Sequence, residues 1–314
     1  MRILLIRISF AFILFCPEVF AKPIHESLSI KAGNILQWIK IDCDNDQRPV
    51  LLFLHGGPGG SVMSYANRFT SELQKHFIVV QWDQRETGKT KSLNSSPEPL
   101  TIPLLEQDAV DVINYLRNKF HQDKVYLVGH SWGGFLAVEV ASHHPELLAA
   151  CFAASPMIHQ VESEKMALAK MKELADHQNN KKAQQELGEI KIPFENGTQL
   201  FYHRKWLYQL INQQQVPFTK SYVENWSTVW LSIFNEACTI NFVEVAPEIK
   251  CPIYFLVGRK DFQTNFKLTE SYFEKLKAGK KELFWFNDSA HGLNLTESQK
   301  FQQVIISTVG QLKN

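Results

Sequence analysis

Val125-Tyr126-Leu127-Val128-Gly129-His130-Ser131-Trp132-Gly133-Gly134-Phe135-Leu136-Ala137-Val138-Glu139-Val140 is the stretch from which the fold is read. An apolar run of strand length meets a G-x-S-x-G set, Gly129 to Gly133, and passes directly into a helix-like segment. A serine hydroxyl, with a pKa far above neutrality, attacks nothing unaided. A sharp, strained strand-to-helix turn presents it at a strand end, and the small residues Gly129 and Gly133 permit that turn. The helix start brings backbone N–H groups and the positive dipole end to the developing oxyanion. An incidental serine in a glycine-rich turn would need neither the strand before nor the helix after. Ser131 is the expected nucleophile.

In a sheet built around such an elbow the chain order is serine, then acid, then histidine. The buried-strand pattern Cys251-Pro252-Ile253-Tyr254-Phe255-Leu256-Val257 ends in Gly258-Arg259-Lys260-Asp261, which puts Asp261 at a strand end as the acid. A second run, Glu282-Leu283-Phe284-Trp285-Phe286, passes into Asn287-Asp288-Ser289-Ala290-His291-Gly292, so His291 sits just past a strand and is the expected base. Sites of open parallel sheets lie at the carboxyl ends of the strands, where all three residues fall. Each has a rival reading. Asp261 could merely cap a helix beginning near Asn265, and Asp288 is a second carboxylate on the histidine loop. A strand-end aspartate orients an imidazole better than one three residues away on the same loop. His143 and His144, ahead of Pro145, read as solvated at a helix end, and His130 as a support for its neighbours.

The chemistry next demands preorganised donors for a tetrahedral oxyanion. After the apolar strand Val50-Leu51-Leu52-Phe53-Leu54 comes His55-Gly56-Gly57-Pro58-Gly59-Gly60, a loop that exposes backbone N–H groups without side-chain bulk. One donor is expected from this loop and one from the residue after the serine, which assigns the oxyanion hole to the amides of Gly57 and Trp132. A phosphate-cradling reading fails because there is no G-x-x-x-x-G-K-[ST].

With Trp82-Asp83-Gln84-Arg85 added, these segments resemble an alpha/beta hydrolase of the proline iminopeptidase type. His-Gly-Gly-Pro-Gly-Gly and Trp-Asp-Gln-Arg together are far more specific than G-x-S-x-G. The resemblance implies a sheet of eight mostly parallel strands with a helical cap inserted after the sixth. It also implies a short peptide substrate with proline or a similar small residue at its N-terminus. Two departures stand out. The family usually follows W-D-Q-R with glycine, where this chain has Glu86. The family's cap carries a W-x-x-W-E stretch whose glutamate meets the substrate amine; here Trp226-Ser227-Thr228-Val229-Trp230 is followed by Leu231. Glu224 and Glu236 are the available substitutes, with Trp230 beside the substrate, although Trp226, Trp230 and Phe234 recur at the helical spacing of core packing.

The expected activity is that of a serine hydrolase working through an acyl-enzyme, an aminopeptidase on short peptides. A carboxylesterase on small acyl esters is the alternative within enzymes, and a silent binding protein of the same fold the alternative outside them. The partner is a small peptide or ester; a net charge of +1 gives no field for nucleic acid or anionic lipid. No cofactor is expected, and without C-x-x-C or H-E-x-x-H no metal is expected either.

The 314 residues divide into a catalytic domain of 22–156 and 246–314 and a polar, helix-rich cap of 157–245. A hairpin turning at Ala32-Gly33-Asn34 precedes strands at 49–55, 77–82, 124–129 and 149–154, with helices at 103–120 and 131–143 and a closing helix from Glu297. Residues 1–21 read as a signal peptide: basic Arg2 and Arg7, an apolar Ile8 to Phe15, and Val19-Phe20-Ala21 as the cleavage site. Export to the periplasm or beyond, with no membrane span left after cleavage, is the expectation. Of Cys43, Cys151, Cys238 and Cys251, the pair Cys151–Cys251 sits on strands expected to be neighbours, but a core this large needs no staple and buried free thiols are expected.

Overall fold

The computed structural model describes residues 21–312, so the expected signal segment lies outside the described residues apart from Ala21. Gly33 and Asn34 take left-handed φ angles of 53° and 64°, the backbone that a two-residue hairpin turn demands. They join β1 (Ile24–Ala32) to β2 (Ile35–Cys43) in antiparallel register. Exposed and half-buried positions alternate along most of β1, as suits an edge strand with one wet face.

β3 (Val50–Leu54) is buried throughout. It is followed by α1 (Asn67–Thr70), the equally buried β4 (Ile78–Asp83), α2 (Gly88–Leu93) and α3 (Ile102–Phe120). Then come β5 (Val125–His130), α4 (Trp132–His143) and β6 (Leu148–Ala154). Strands apolar along their whole length must be covered on both faces. Alternation along each strand sends its side chains to two separate cores. Leu52 and Leu54 meet Leu105 and Leu136 from α3 and α4. Leu51 and Phe53 meet Phe69 of α1 and, from the far end of the chain, Phe301 and Ile305.

Between β6 and the next strand of the main sheet stand α5 (Gln160–His177), α6 (Lys181–Gly188), α7 (Gly197–Trp206), α8 (Lys220–Thr239) and α9 (Phe242–Val245). The chain then forms β7 (Glu248–Ile249), β8 (Ile253–Gly258), α10 (Phe266–Lys275), β9 (Lys277–Ala278), β10 (Lys281–Phe286), α11 (Leu293–Thr296) and α12 (Ser298–Leu312). β7 and β9 pair with each other; the other eight strands form one sheet in the order β1-β2-β4-β3-β5-β6-β8-β10. β2 pairs antiparallel with β1 and β4, and every other pairing in that sheet is parallel.

Winding outward in both directions from β3 opens a crevice at the carboxyl ends of β3 and β5, the place where open sheets bind ligands. β8 begins two residues later than the expected strand, at Ile253. Pro252 has no N–H for the ladder, and its carbonyl instead accepts from the Cys151 amide at 2.9 Å. Cys151 accordingly lies opposite Ile253 rather than Cys251. All four described cysteines are buried free thiols, and the Cys151 thiol faces the Ala137 carbonyl at 3.5 Å.

Candidate active site

Ser131 stands between β5 and α4 with φ 58° and ψ −117°, a conformation that costs a non-glycine residue roughly 1–3 kcal/mol. Close packing enforces it. A Cβ on Gly129 would lie 2.0 Å from the Gly133 carbonyl oxygen, and one on Gly133 would lie 2.0 Å from that of Leu54. Only glycine at both positions lets the turn close against β3.

Three loops then converge. His291 Nε2 is 2.9 Å from Ser131 Oγ, and His291 Nδ1 is 3.0 Å from Asp261 Oδ2. Asp261, fully buried at the end of β8, also accepts from the Gln263 and Thr264 amides at 2.9 and 3.0 Å, and its Oδ2 lies 2.9 Å from Thr264 Oγ1. Burial opposes its ionisation, but the His291 imidazole and these hydrogen bonds outweigh burial and hold the carboxyl below its usual pKa. An ionised Asp261 fixes the tautomer: Nδ1–H donates to the carboxylate and Nε2 is left to accept from the serine. His130 does not face Ser131; its Nε2 is 2.8 Å from the His291 carbonyl. Burial, then the neighbouring His291, pushes His130 down to about 4, so it is neutral and acts as a fixed donor to that carbonyl.

The glycine loop after β3 runs against the elbow, since a Cβ on Gly56 would meet Ser131 Cβ at 3.2 Å. Neither the Gly57 nor the Trp132 amide has an acceptor among the described residues. Trp132 is the first residue of α4, where N–H groups are free by construction. Residues of the W-D-Q-R segment hold this loop from below. The Gln84 amide donates to His55 Nε2 at 3.2 Å, Gln84 Nε2 to the His55 carbonyl at 3.1 Å, and Trp132 Nε1 to Gln84 Oε1 at 3.1 Å. Arg85 forms a buried two-pronged pair with Asp108, both contacts 2.8 Å, and reaches the Gly33 carbonyl of the hairpin turn.

Beyond Ser131 opens a cavity of about 180 Å³, below the roughly 300–1,000 Å³ of sites for drug-sized ligands. Gly57, Pro58 and Thr264 line its floor, and the cap supplies Leu200, Phe218, Tyr222, Trp226 and Phe234. Trp226 Nε1 donates to the Pro58 carbonyl at 2.7 Å, tying α8 to the glycine loop. Polar groups of the cap on the cavity come from Gln160, Arg204 and the hydroxyl-bearing Tyr208 and Tyr222. Arg204 Nη1 is 2.6 Å from Oε2 of buried Glu164 and Gln160 Nε2 is 2.8 Å from its Oε1, while Gln160 Oε1 has no hydrogen-bond partner among the described residues. His203 completes the cluster.

A family model described as the alpha/beta hydrolase fold matches residues 49–190. The chain has the alpha/beta hydrolase fold. The chain is similar to a probable aminopeptidase of Bacillus subtilis, 28% identical over 92% of this chain and 97% of the relative. It is 25% identical to the proline iminopeptidase of Heyndrickxia coagulans over 87% of this chain and 94% of that one. The crystal structure of the proline iminopeptidase from Mycobacterium smegmatis superposes with a TM-score of 0.65 at 16% identity, over 91% of this chain and 98% of that one, a likeness of fold.

The fold thus brings Ser131, Asp261 and His291 into one hydrogen-bonded line beside the Gly57 loop. It does not bring the expected cap residues to the cavity. Glu224 is exposed and accepts from Thr198 Oγ1 at 2.7 Å; Glu236 is exposed too. The helical period of α8 buries Val223, Trp230, Ile233 and Phe234, and this turns both acids outward. Trp230 is buried against Gly59, on the other side of the glycine loop from the cavity. Asp288 is exposed, 3.8 Å from Lys260. Glu86 sits at φ 56°, which explains why glycine suits that position, and its Oε1 accepts from the Ser96 amide at 2.6 Å. Thr264 and Glu164 were not anticipated. The first follows Asp261 at the spacing of a side-chain-capped turn, a readable signal; the second sits in a segment indistinguishable from a solvated helix.

Proposed function

We propose that this chain is a serine hydrolase that works through an acyl-enzyme and removes a small apolar N-terminal residue, proline among them, from short peptides. The reading is carried by one observation: the line Asp261–His291–Ser131 ends at the mouth of a small, largely apolar cavity. Ser131 Oγ attacks the carbonyl while His291 Nε2 takes its proton. The tetrahedral oxygen is held by the Gly57 and Trp132 amides. His291 returns the proton to the departing amine, and water repeats the sequence on the acyl-enzyme. Asp261 stabilises the imidazolium formed in each half. The small volume of the cavity supports a small acyl part. The peptide preference is supported by two relatives, named as an aminopeptidase and a proline iminopeptidase, that match over nearly their whole length.

A second reading, a carboxylesterase, is favoured by a specific observation. Glu224 and Glu236 are exposed and do not line the cavity, and Glu164 is already paired with Arg204. Desolvating an ammonium without a partner costs several kcal/mol. A proline arylamide, its N-acetylated form and a nitrophenyl acyl ester of similar size, assayed side by side, separate the two. Arylamide cleavage that acetylation abolishes supports the aminopeptidase. Ester turnover with no arylamide cleavage sinks it and leaves the nucleophile assignment untouched.

A further inference from the structure

At the end of α4 remote from Ser131, about 18 Å along the helix at 1.5 Å per residue, three donors converge from two helices. Glu139 and His143 lie one turn apart on α4, and Glu106 faces them from α3. One ligand atom from each falls within 4.8 Å of the others. His143 Nδ1 is 2.8 Å from Glu106 Oε1 and 3.7 Å from Glu139 Oε2. Such spacings need only rotamer adjustment to meet the roughly 3.3 Å between ligands of a tetrahedral zinc site, which follows from metal–ligand bonds of about 2.0–2.2 Å.

Glu139 makes this more than a surface ion pair. Its side chain is only 9% exposed, it faces into the cluster, and it accepts no hydrogen bond from any described residue. No lysine or arginine pairs with it among the described residues; its neighbours are a half-exposed imidazole and a second carboxylate. A buried carboxylate facing another carboxylate is expensive unless a cation joins them. His144, whose Nε2 lies 3.7 Å from Glu106 Oε1, adds a second imidazole at the open side.

We propose that Glu106, Glu139 and His143 form a peripheral site for a divalent transition ion of the zinc type, which clamps α3 to the carboxyl end of α4. Imidazole among the donors selects zinc-class ions over calcium and magnesium. Because the donors come from separate helices, no contiguous metal motif marks the site in the chain. The clamp stands apart from Ser131 and takes no part in the proposed reaction.

The test is calorimetric titration of the chelator-treated full chain with Zn²⁺, together with melting curves. The expected result is one Zn²⁺ per chain and a melting temperature raised by several degrees, with no binding of Mg²⁺ or Ca²⁺. Glu139→Gln keeps the shape and removes the uncompensated charge, so it should fold at least as well; His143→Ala alters an exposed side chain. Each should weaken Zn²⁺ by about 10-fold or more. Absence of Zn²⁺ binding by the wild-type chain, or binding unchanged in both variants, overturns the site.

Discussion

The two sides of the cavity are built on opposite plans. On the strand-end side each polar group orients the next. His130 holds the His291 backbone, His291 bridges Asp261 and Ser131, and Gln84 fixes the glycine loop through His55 and Trp132. Among the described residues, the Gly57 and Trp132 amides are left without acceptors there, and the serine hydroxyl meets only His291. On the cap side Glu164 and Arg204 neutralise one another beside the neutral His203 imidazole, and aromatic rings line the cavity. In the proposed reaction the chemistry is set by short loops at strand ends, and the choice of substrate by a mostly aromatic wall on which Gln160 Oε1 is an unpaired acceptor.

Removing a link on the reactive side should cost most in rate and least in stability. Asp261→Asn is expected to lower kcat by about 10,000-fold, because the imidazole is then held in the wrong tautomer. The urea midpoint should hardly move, and Asp288→Asn should leave kcat within about two-fold, since Asp288 is exposed and off the line. A larger loss from Asp288→Asn than from Asp261→Asn would reverse the assignment.

The cap side should behave the other way. Glu164→Gln leaves the Arg204 guanidinium buried without its partner, which is expected to destabilise the chain by about 3–5 kcal/mol in denaturant titrations. The fraction that remains folded should still react with a serine-directed probe. If stability is unchanged, the buried pair does not hold the cap.

The smallest expected effect joins the two sides. His130 beneath the elbow and His203 in the cap are both pushed down to about 4, chiefly by burial. Unfolded imidazoles titrate near 6.5. Between about 6.5 and 4 the unfolded chain binds more protons than the native one, so stability falls as the pH falls through that window, by on the order of 3 kcal/mol per histidine. Glu139, raised to about 7, acts with the opposite sign between about 4.5 and 7 and offsets part of the loss. Urea midpoints at pH 6.5 and 4.5 measure the sum, and a midpoint that does not fall would contradict the burial of the two neutral imidazoles.

What could be read in the chain follows the same division. Ser131, Asp261 and His291 each carry a local signal, a strand ending in a turn, and the sheet alone brings those ends together. The hairpin at Gly33-Asn34 was legible because two consecutive left-handed residues leave few alternatives. The cap was not legible at this level. Gln160, Glu164, His203 and Arg204 lie in two helices whose sequences look like solvated faces, and only their packing against each other buries them. Glu224 and Glu236 pointed to the right helix and the wrong face, because a family pattern without its acid carries no phase. Trp226 was visible as an aromatic, but its bond to the Pro58 carbonyl needed the fold.

Covalent labelling of the native chain with a fluorophosphonate, located by mass spectrometry, tests the central claim most directly. The expected result is a single adduct on Ser131, blocked by denaturation and absent from a folded Ser131→Ala variant. A folded wild-type chain that takes no label, or a Ser131→Ala variant that still takes it, would contradict the assignment of Ser131 as the nucleophile.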